Sequence, residues 1–596
     1  LRISRASAGL GALAAVIAAG LPALAQERPE SILPPGFGDP VTTPPPPVAR
    51  PTIAPRATPV PRPTVSGTPA VAPLPGDVPT PLPSASPSAS PSPTPTVPAI
   101  ARYRMPDYAR RSLALVGVEG SGLPADAFGN ADGRRLERLM RRIDTPLASR
   151  WLHIGLRRML LAPLRTPRRV NGADFAAERA WLLLRMGEAP AARSVVQAVD
   201  DENYTPKLMQ MAMQSALANG DPGALCAIAD AAAVRDPERG WTLAQGMCAG
   251  ITGERAKARA IFAAARRQRV ARGVNLQLAQ KVAGAGANGR QVITIEWAGV
   301  PQLTIWRFGL ALATGVEIPP DLLASVGPQV RAWRATSPLL TPAQRAEPAM
   351  DAAARGVFSN AALVDLYAAM DEGEDNAAAA QALANRLRLA YTAAGASERL
   401  DALKAIWDEP KDAAGRLGRL VLTARAAARV PVGASGADAD RLVAAMLTAG
   451  LDRSAARWSG TVAAGSPAWA MLALSDPDRE GAVTSSSVEG FAGGRRRQMF
   501  FAALAGLGRM RAEDVESAAQ SLDVRIGADN GWTRAIDAAA FDGEPATVLL
   551  LAAIGMQTQS WGGVPPEALY HVTAALRATG QEGLARMIAA EAIGQL

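Results

Sequence analysis

Beyond about residue 101 the apolar positions fall at the three- and four-residue steps of helices. They are broken by Gly and Pro, with Ala, Leu, Arg and Met frequent and β-branched runs few. Leu569, Val572 and Leu576 form one such stripe, and His571 lies off it, which predicts a solvent-facing histidine. His153 flanks a second stripe inside an arginine-rich helix. Val564-Pro565-Pro566-Glu567 and Gln581-Glu582 read as helix starts, since proline at the first turn gives up no hydrogen bond and an acid there meets the positive end of the helix dipole. Gln291 to Trp297 (QVITIEW) has strand-like residues, but a lone strand has nothing to pair with, so it reads as helix or connector. The Gly-, Ser- and Asp-rich stretches Pro431 to Asp440 and Ser475 to Gly494 predict loops or subdomain joints. The fold class expected is all-α.

A turn recurs within this pattern. Leu184-Arg185-Met186-Gly187-Glu188, Ala218-Asn219-Gly220-Asp221 and Thr252-Gly253-Glu254 place their glycines 33 residues apart. Glycine closes one helix in the left-handed conformation and the acid opens the next. Small residues five and twelve positions on, Ala192, Ala232, Ala258 and Ala265, permit close helix packing, while Leu225 and Val199 depart from that rule. Over roughly residues 174 to 268 this period resembles the tetratricopeptide superfamily in degenerate form. Gly246 falls at the first-helix glycine, and the Trp, Tyr and Pro signature positions are mostly missing. The resemblance implies a stack of helical hairpins, an α-solenoid, whose concave face holds a protein or peptide. Irregularly spaced turns at Gly373-Glu374, Gly450 and Gly580-Gln581 extend helix pairs toward residue 596. Such stacks also resemble the non-catalytic ring of periplasmic lytic transglycosylases, but no catalytic signature around a glutamate follows the helices.

The first hundred residues are of another kind. Arg2 and Arg5, an apolar stretch from Ala6 to Leu24 and the small-x-small site Ala23-Leu24-Ala25 spell a secretory leader, expected to be cleaved after Ala25. From Pro29 to Pro98 lie 24 of the chain's 48 prolines, so this segment has few backbone donors for ladders and little to bury. It predicts a disordered stalk with a reach on the order of 200 Å at most in the polyproline II form. The organisation expected is a leader over 1–25, a stalk over 26–101, arginine-rich helices over 102–170, tetratricopeptide-like repeats over 171–430 and further helical repeats over 431–596.

Charge changes this picture at one place. The formal net charge is +9, and residues 102 to 169 hold fifteen arginines against six acids, a surplus equal to the whole. Arg134, Arg138 and Arg141 share a helix face at i, i+4 and i+7, and Arg157, Arg158, Arg165, Arg168 and Arg169 extend it. The patch suits phosphate or carboxylate groups of an anionic cell-wall polymer or lipid surface, or else pairs with acids of the same fold. Export argues against nucleic acid as the partner. Cys226 and Cys248, the only cysteines, are either a disulfide, as an oxidising compartment allows, or two buried thiols.

Candidate catalytic chemistry is sparse. There are two histidines and no HExxH, GxSxG or Walker A pattern. Gly284, Gly286 and Gly289 spell GxGxxG, but a helix-like segment precedes them where a nucleotide site needs a strand. Asp371, Glu372, Glu374 and Asp375 lack EF-hand spacing and suit a solvated turn. Most tryptophans, such as Trp297, Trp306 and Trp333, are expected in the core. No cofactor or metal is called for. The expected function is an exported, periplasmic, non-catalytic helical scaffold for a protein or peptide partner. The alternative is an envelope-attachment or cell-wall-enzyme accessory protein acting through the arginine-rich helices.

Overall fold

In the computed structural model, residues 106–118, 120, 122–235, 239–286, 293–371, 378–433 and 436–596 are described. The leader, the stalk, Gly289 and the acids Glu372, Glu374 and Asp375 lie outside them.

Local signals start and stop the helices. Helix α1 (Gly133–Arg142) is capped by Asp132, whose carboxylate accepts from the Arg135 amide, and α2 (Arg150–Leu161) by Ser149, which accepts from the Leu152 amide. Asn171 caps α3 (Gly172–Arg185). Helix α4 (Ala189–Gln197) follows the Gly187 turn, and Thr205 with Pro206 opens α5 (Pro206–Ala218). Gly187, Gly220 and Gly253 all have positive φ, at 87°, 66° and 87°. At Gly187 the Glu188 amide reaches back to Leu183 O and at Gly220 the Asp221 amide to Ala216 O, so each glycine satisfies carbonyls the ending helix would leave bare. The same six-residue closure recurs at Gly450, Gly508, Gly543 and Gly580. The last three are 35 and 37 residues apart, so near-repeat spacing returns toward residue 596.

Packing follows the hairpins. α3 lies against α4, and both against α5. Helix Arg239–Ile251 packs on Arg255–Arg267 and Gly273–Gly286, and Pro328–Thr336 on Pro342–Arg355. Gly494–Gly506 packs on Pro566–Ala578, which in turn packs on Glu582–Gln595. The small residues Ala192, Ala232, Ala258 and Ala265 are buried, as close hairpin packing requires. The described residues are almost wholly helix and connector. Two two-residue strands, β1 (Leu115–Val116) and β2 (Leu164–Arg165), pair antiparallel beside α2. Residues 293–297, the end of the QVITIEW stretch, are a connector without regular structure.

The chain returns on itself at α2. This helix contacts α3, α4 and Pro342–Arg355, and also Pro545–Gly555 and Glu582–Gln595. Gly155 admits the last of these, because a Cβ there would lie 2.5 Å from the Leu584 side chain. The Ala148 amide donates to Met556 O at 3.0 Å, and the Asp144 amide to Gln557 Oε1 at 2.9 Å. Glu591 caps the start of α2 across the fold, accepting from Ser149 Oγ at 2.5 Å and from the Arg150 and Trp151 amides at 2.8 and 3.2 Å. A carboxylate there meets the positive end of the α2 dipole. Burial pushes the Glu591 carboxyl above its usual range, against the pull of these donors and of Arg150.

Two buried arginines complete this junction. Arg150 donates to Ala353 O, Thr448 O and Phe358 O at 2.8, 2.7 and 3.2 Å, tying α2 to the ends of two other helices. Arg179 of α3 donates to Leu160 O, Val116 O and Ala162 O at 2.7, 2.8 and 2.6 Å. Desolvation pushes their pKa values down to about 10 and about 9, so both remain charged at neutral pH.

Candidate functional site

Of the eight arginines that the sequence marks as an anion-binding patch, Arg165 stands exposed on β2 and the other seven separate into two groups. Arg134 and Arg138 stand exposed on α1, and Arg135 and Arg142 beside them widen the stripe. Arg158 is exposed on α2. The other four are engaged. Arg141 Nε donates to Glu178 of α3 at 3.0 Å, and this carboxylate, only 1% exposed, also pairs with Lys207 of α5. Arg157 lies 3.7 Å from Glu188, Arg168 donates to Asn130 O at 3.1 Å, and Arg169 pairs with Asp132 at 3.1 Å. The open stripe is therefore Arg134, Arg135, Arg138 and Arg142, while Arg141 turns inward because a buried carboxylate on α3 needs a counter-charge.

Cys226 and Cys248 are joined as a disulfide, with Cα atoms 5.3 Å apart, linking the short turn Pro222–Ala227 to helix Arg239–Ile251. The histidines need one correction. His571, expected in solvent, is buried, with Nδ1 2.9 Å from Asp537 and its ring edge-on to Trp532 and Tyr570. Its helix is covered on several sides, so the polar side of the wheel faces another helix rather than water. His153 is also buried, 3.1 Å from Glu188 Oε1. Trp333 is in the core as expected, whereas Trp297 and Trp306 are half-buried and donate to Glu317 O and Asn275 O. No group of His, Cys, Asp and Glu among the described residues could hold a metal ion.

An opening with room for a ligand lies beside α2. A cavity of about 570 Å³ opens between α2, Pro342–Arg355 and Asn360–Asp371. Phe358 and Leu366 give it apolar wall, Thr336 adds a hydroxyl, and Arg157, Arg345 and Asp365 supply charge. Thr341 positions Arg345 by a capping box with Gln344. Arg345 is half-buried and donates from Nε to Ala335 O at 2.8 Å, its one side-chain hydrogen bond among the described residues. Burial lowers its pKa. Arg157 Nε is buried with no partner among the described residues. The cavity thus has an apolar wall and two guanidinium groups with donors to spare, a combination that suits a ligand rather than a packed core.

No family model matches this chain, and no curated protein or solved structure matches it. Sequence reasoning missed Arg150, Arg179, Glu591, Arg345 and Asp365. For Arg150 a signal was present. In α2, Arg150, His153 and Arg157 form one polar line at i, i+3 and i+7 on a helix otherwise mostly apolar, which marks that line for burial. The carbonyls that Arg150 and Arg179 reach, and the cavity around Arg345, depend on segments far apart in the chain and leave no local trace.

Proposed function

We propose that this chain is an exported, periplasmic, non-catalytic helical scaffold that binds a protein or peptide partner. The observation that carries this reading is the cavity beside α2. Its volume falls within the roughly 300–1,000 Å³ typical of ligand sites, and it is walled by α2 together with the consecutive helices Pro342–Arg355 and Asn360–Asp371. The three-part leader supports export, and the Cys226–Cys248 bond fits an oxidising compartment. Among the described residues no helix is long and apolar enough to cross a membrane. The chain acts by holding its partner, and the helical stack supplies rigidity.

The test is site-specific photocrosslinking in the native envelope. A crosslinker at Ala362, in the cavity wall, should trap a discrete partner, and one at exposed Glu516 on helix Ala512–Leu522 should not. Identical products from both positions would remove the cavity as the binding site.

A second reading rests on the exposed stripe of α1. Arg134, Arg135, Arg138 and Arg142 lie on one face and present guanidinium groups suited to an anionic polymer or lipid surface. Sedimentation with anionic vesicles and with purified sacculi, comparing wild type with R134Q/R138Q, tests it. Unchanged binding at low salt rejects it.

A further inference from the structure

The cavity beside α2 carries a chemical preference, and this inference rests on the binding role proposed above. Among the described residues Arg345 has no carboxylate within ion-pair distance, and its terminal nitrogens have no acceptor. Arg157 meets Glu188 only at 3.7 Å through one terminal nitrogen, and its Nε is buried without a partner among the described residues. A half-buried guanidinium whose terminal nitrogens have no protein acceptor can give an incoming carboxylate charge-assisted hydrogen bonds. Phe358 and Leu366 ask for an apolar neighbour in the same ligand. Asp365, exposed on the third wall with no ion pair among the described residues, repels a row of negative charges.

From this we infer that the cavity beside α2 binds a singly acidic peptide segment, with its carboxylate held by Arg157 and Arg345 and its apolar side chain against Phe358 and Leu366. The carboxylate comes from a side chain or from a free carboxyl terminus, and the chemistry is the same. Asp365 makes a polyanion a poor ligand, which separates this site from the arginine stripe of α1.

The experiment uses the whole chain and an acetylated apolar octapeptide in four forms: central Glu or Gln, each with a free or an amidated carboxyl terminus. Binding is measured by calorimetry. Forms bearing one carboxylate should bind about tenfold more tightly than the amidated Gln form, since one charged hydrogen-bonded contact amounts to about 1.4 kcal/mol or more. The Glu-amide and Gln-acid forms show which source of carboxylate the site accepts. The R345Q chain should lose this preference, R345K should keep part of it, and R534Q, on helix Gly531–Phe541 outside the cavity, should keep all of it. The wild-type Glu-against-Gln comparison needs no variant, so a misfolded R345Q leaves the test intact. Equal affinity for all four forms, no binding at all, or tighter binding of polyglutamate overturns the inference. If the octapeptides fail while Ala362 still crosslinks a partner, only the carboxylate preference is lost. If Ala362 crosslinks nothing, the binding role itself fails.

Discussion

The arginines of α1 and those at the α2–α3 junction are the same residue in neighbouring stretches of chain, and they do opposite work. Arg134, Arg135, Arg138 and Arg142 point to water and leave the fold indifferent to them. Arg150 and Arg179 are buried and each reach three backbone carbonyls. The difference lies in what the other side of the helix must satisfy. Carbonyls at helix ends and strand edges that meet at a crowded junction lack amide partners, and a guanidinium, with five donors in a planar fork, satisfies several at once.

That contrast breaks first at Arg179. R179M leaves three buried carbonyls without a donor, and the unfolding free energy should fall by about 4 kcal/mol, read by urea denaturation. A loss under about 1 kcal/mol would make Arg179 no different from the α1 arginines. R150M should cost about 3 kcal/mol and, unlike R179M, should speed hydrogen exchange in Glu582–Gln595, since Arg150 and the Glu591 cap share one junction. Uniform exchange changes along the chain would contradict this. Arg141 is intermediate. R141Q leaves Glu178 to Lys207 and should cost about 2 kcal/mol, and an effect as small as that of R138Q would place Arg141 with the exposed group.

A gentler probe of the junction is pH. Burial raises the Glu591 carboxyl above its ordinary 4.5, so the neutral acid suits the folded state better than the ionised one. The stability this shift supplies is fully present below the ordinary value and is lost as pH rises through the raised one. E591Q removes this titration, so the difference between wild-type and variant stability should change across that window and level off above it. Parallel stability curves would show that Glu591 does not titrate on folding. The smallest effect belongs to α1, where R134Q/R138Q should change stability by less than about 0.5 kcal/mol while still being able to alter binding to anionic vesicles.

The all-α class was legible because its signals are local. Caps at Asp132, Ser149 and Asn171 and the turn at Gly187 act within a few residues of chain. Gly543 followed by Glu544 carries the same signal as Gly187 followed by Glu188, whereas Gly508, followed by Arg509, closes its helix without an acid and is harder to see. The burial of His571 was not legible, because a wheel drawn for one helix omits Asp537 and Trp532 on the next. For the candidate site, Arg157 was in view but its setting was not. Arg345 sits nearly two hundred positions further on, and nothing in the spacing of either residue announces the other.

The Glu591 cap on α2 has a consequence in time. Ser149 and Glu591 are 442 positions apart, so a chain emerging from its amino end presents α2 with its local Ser149 cap long before the Glu591 cap exists. Contacts of such separation are among the slowest to form, because a long loop must close before they reward it. The junction is therefore completed late, and a chain halted before Glu591 has an α2 that helix Glu582–Gln595 never secures.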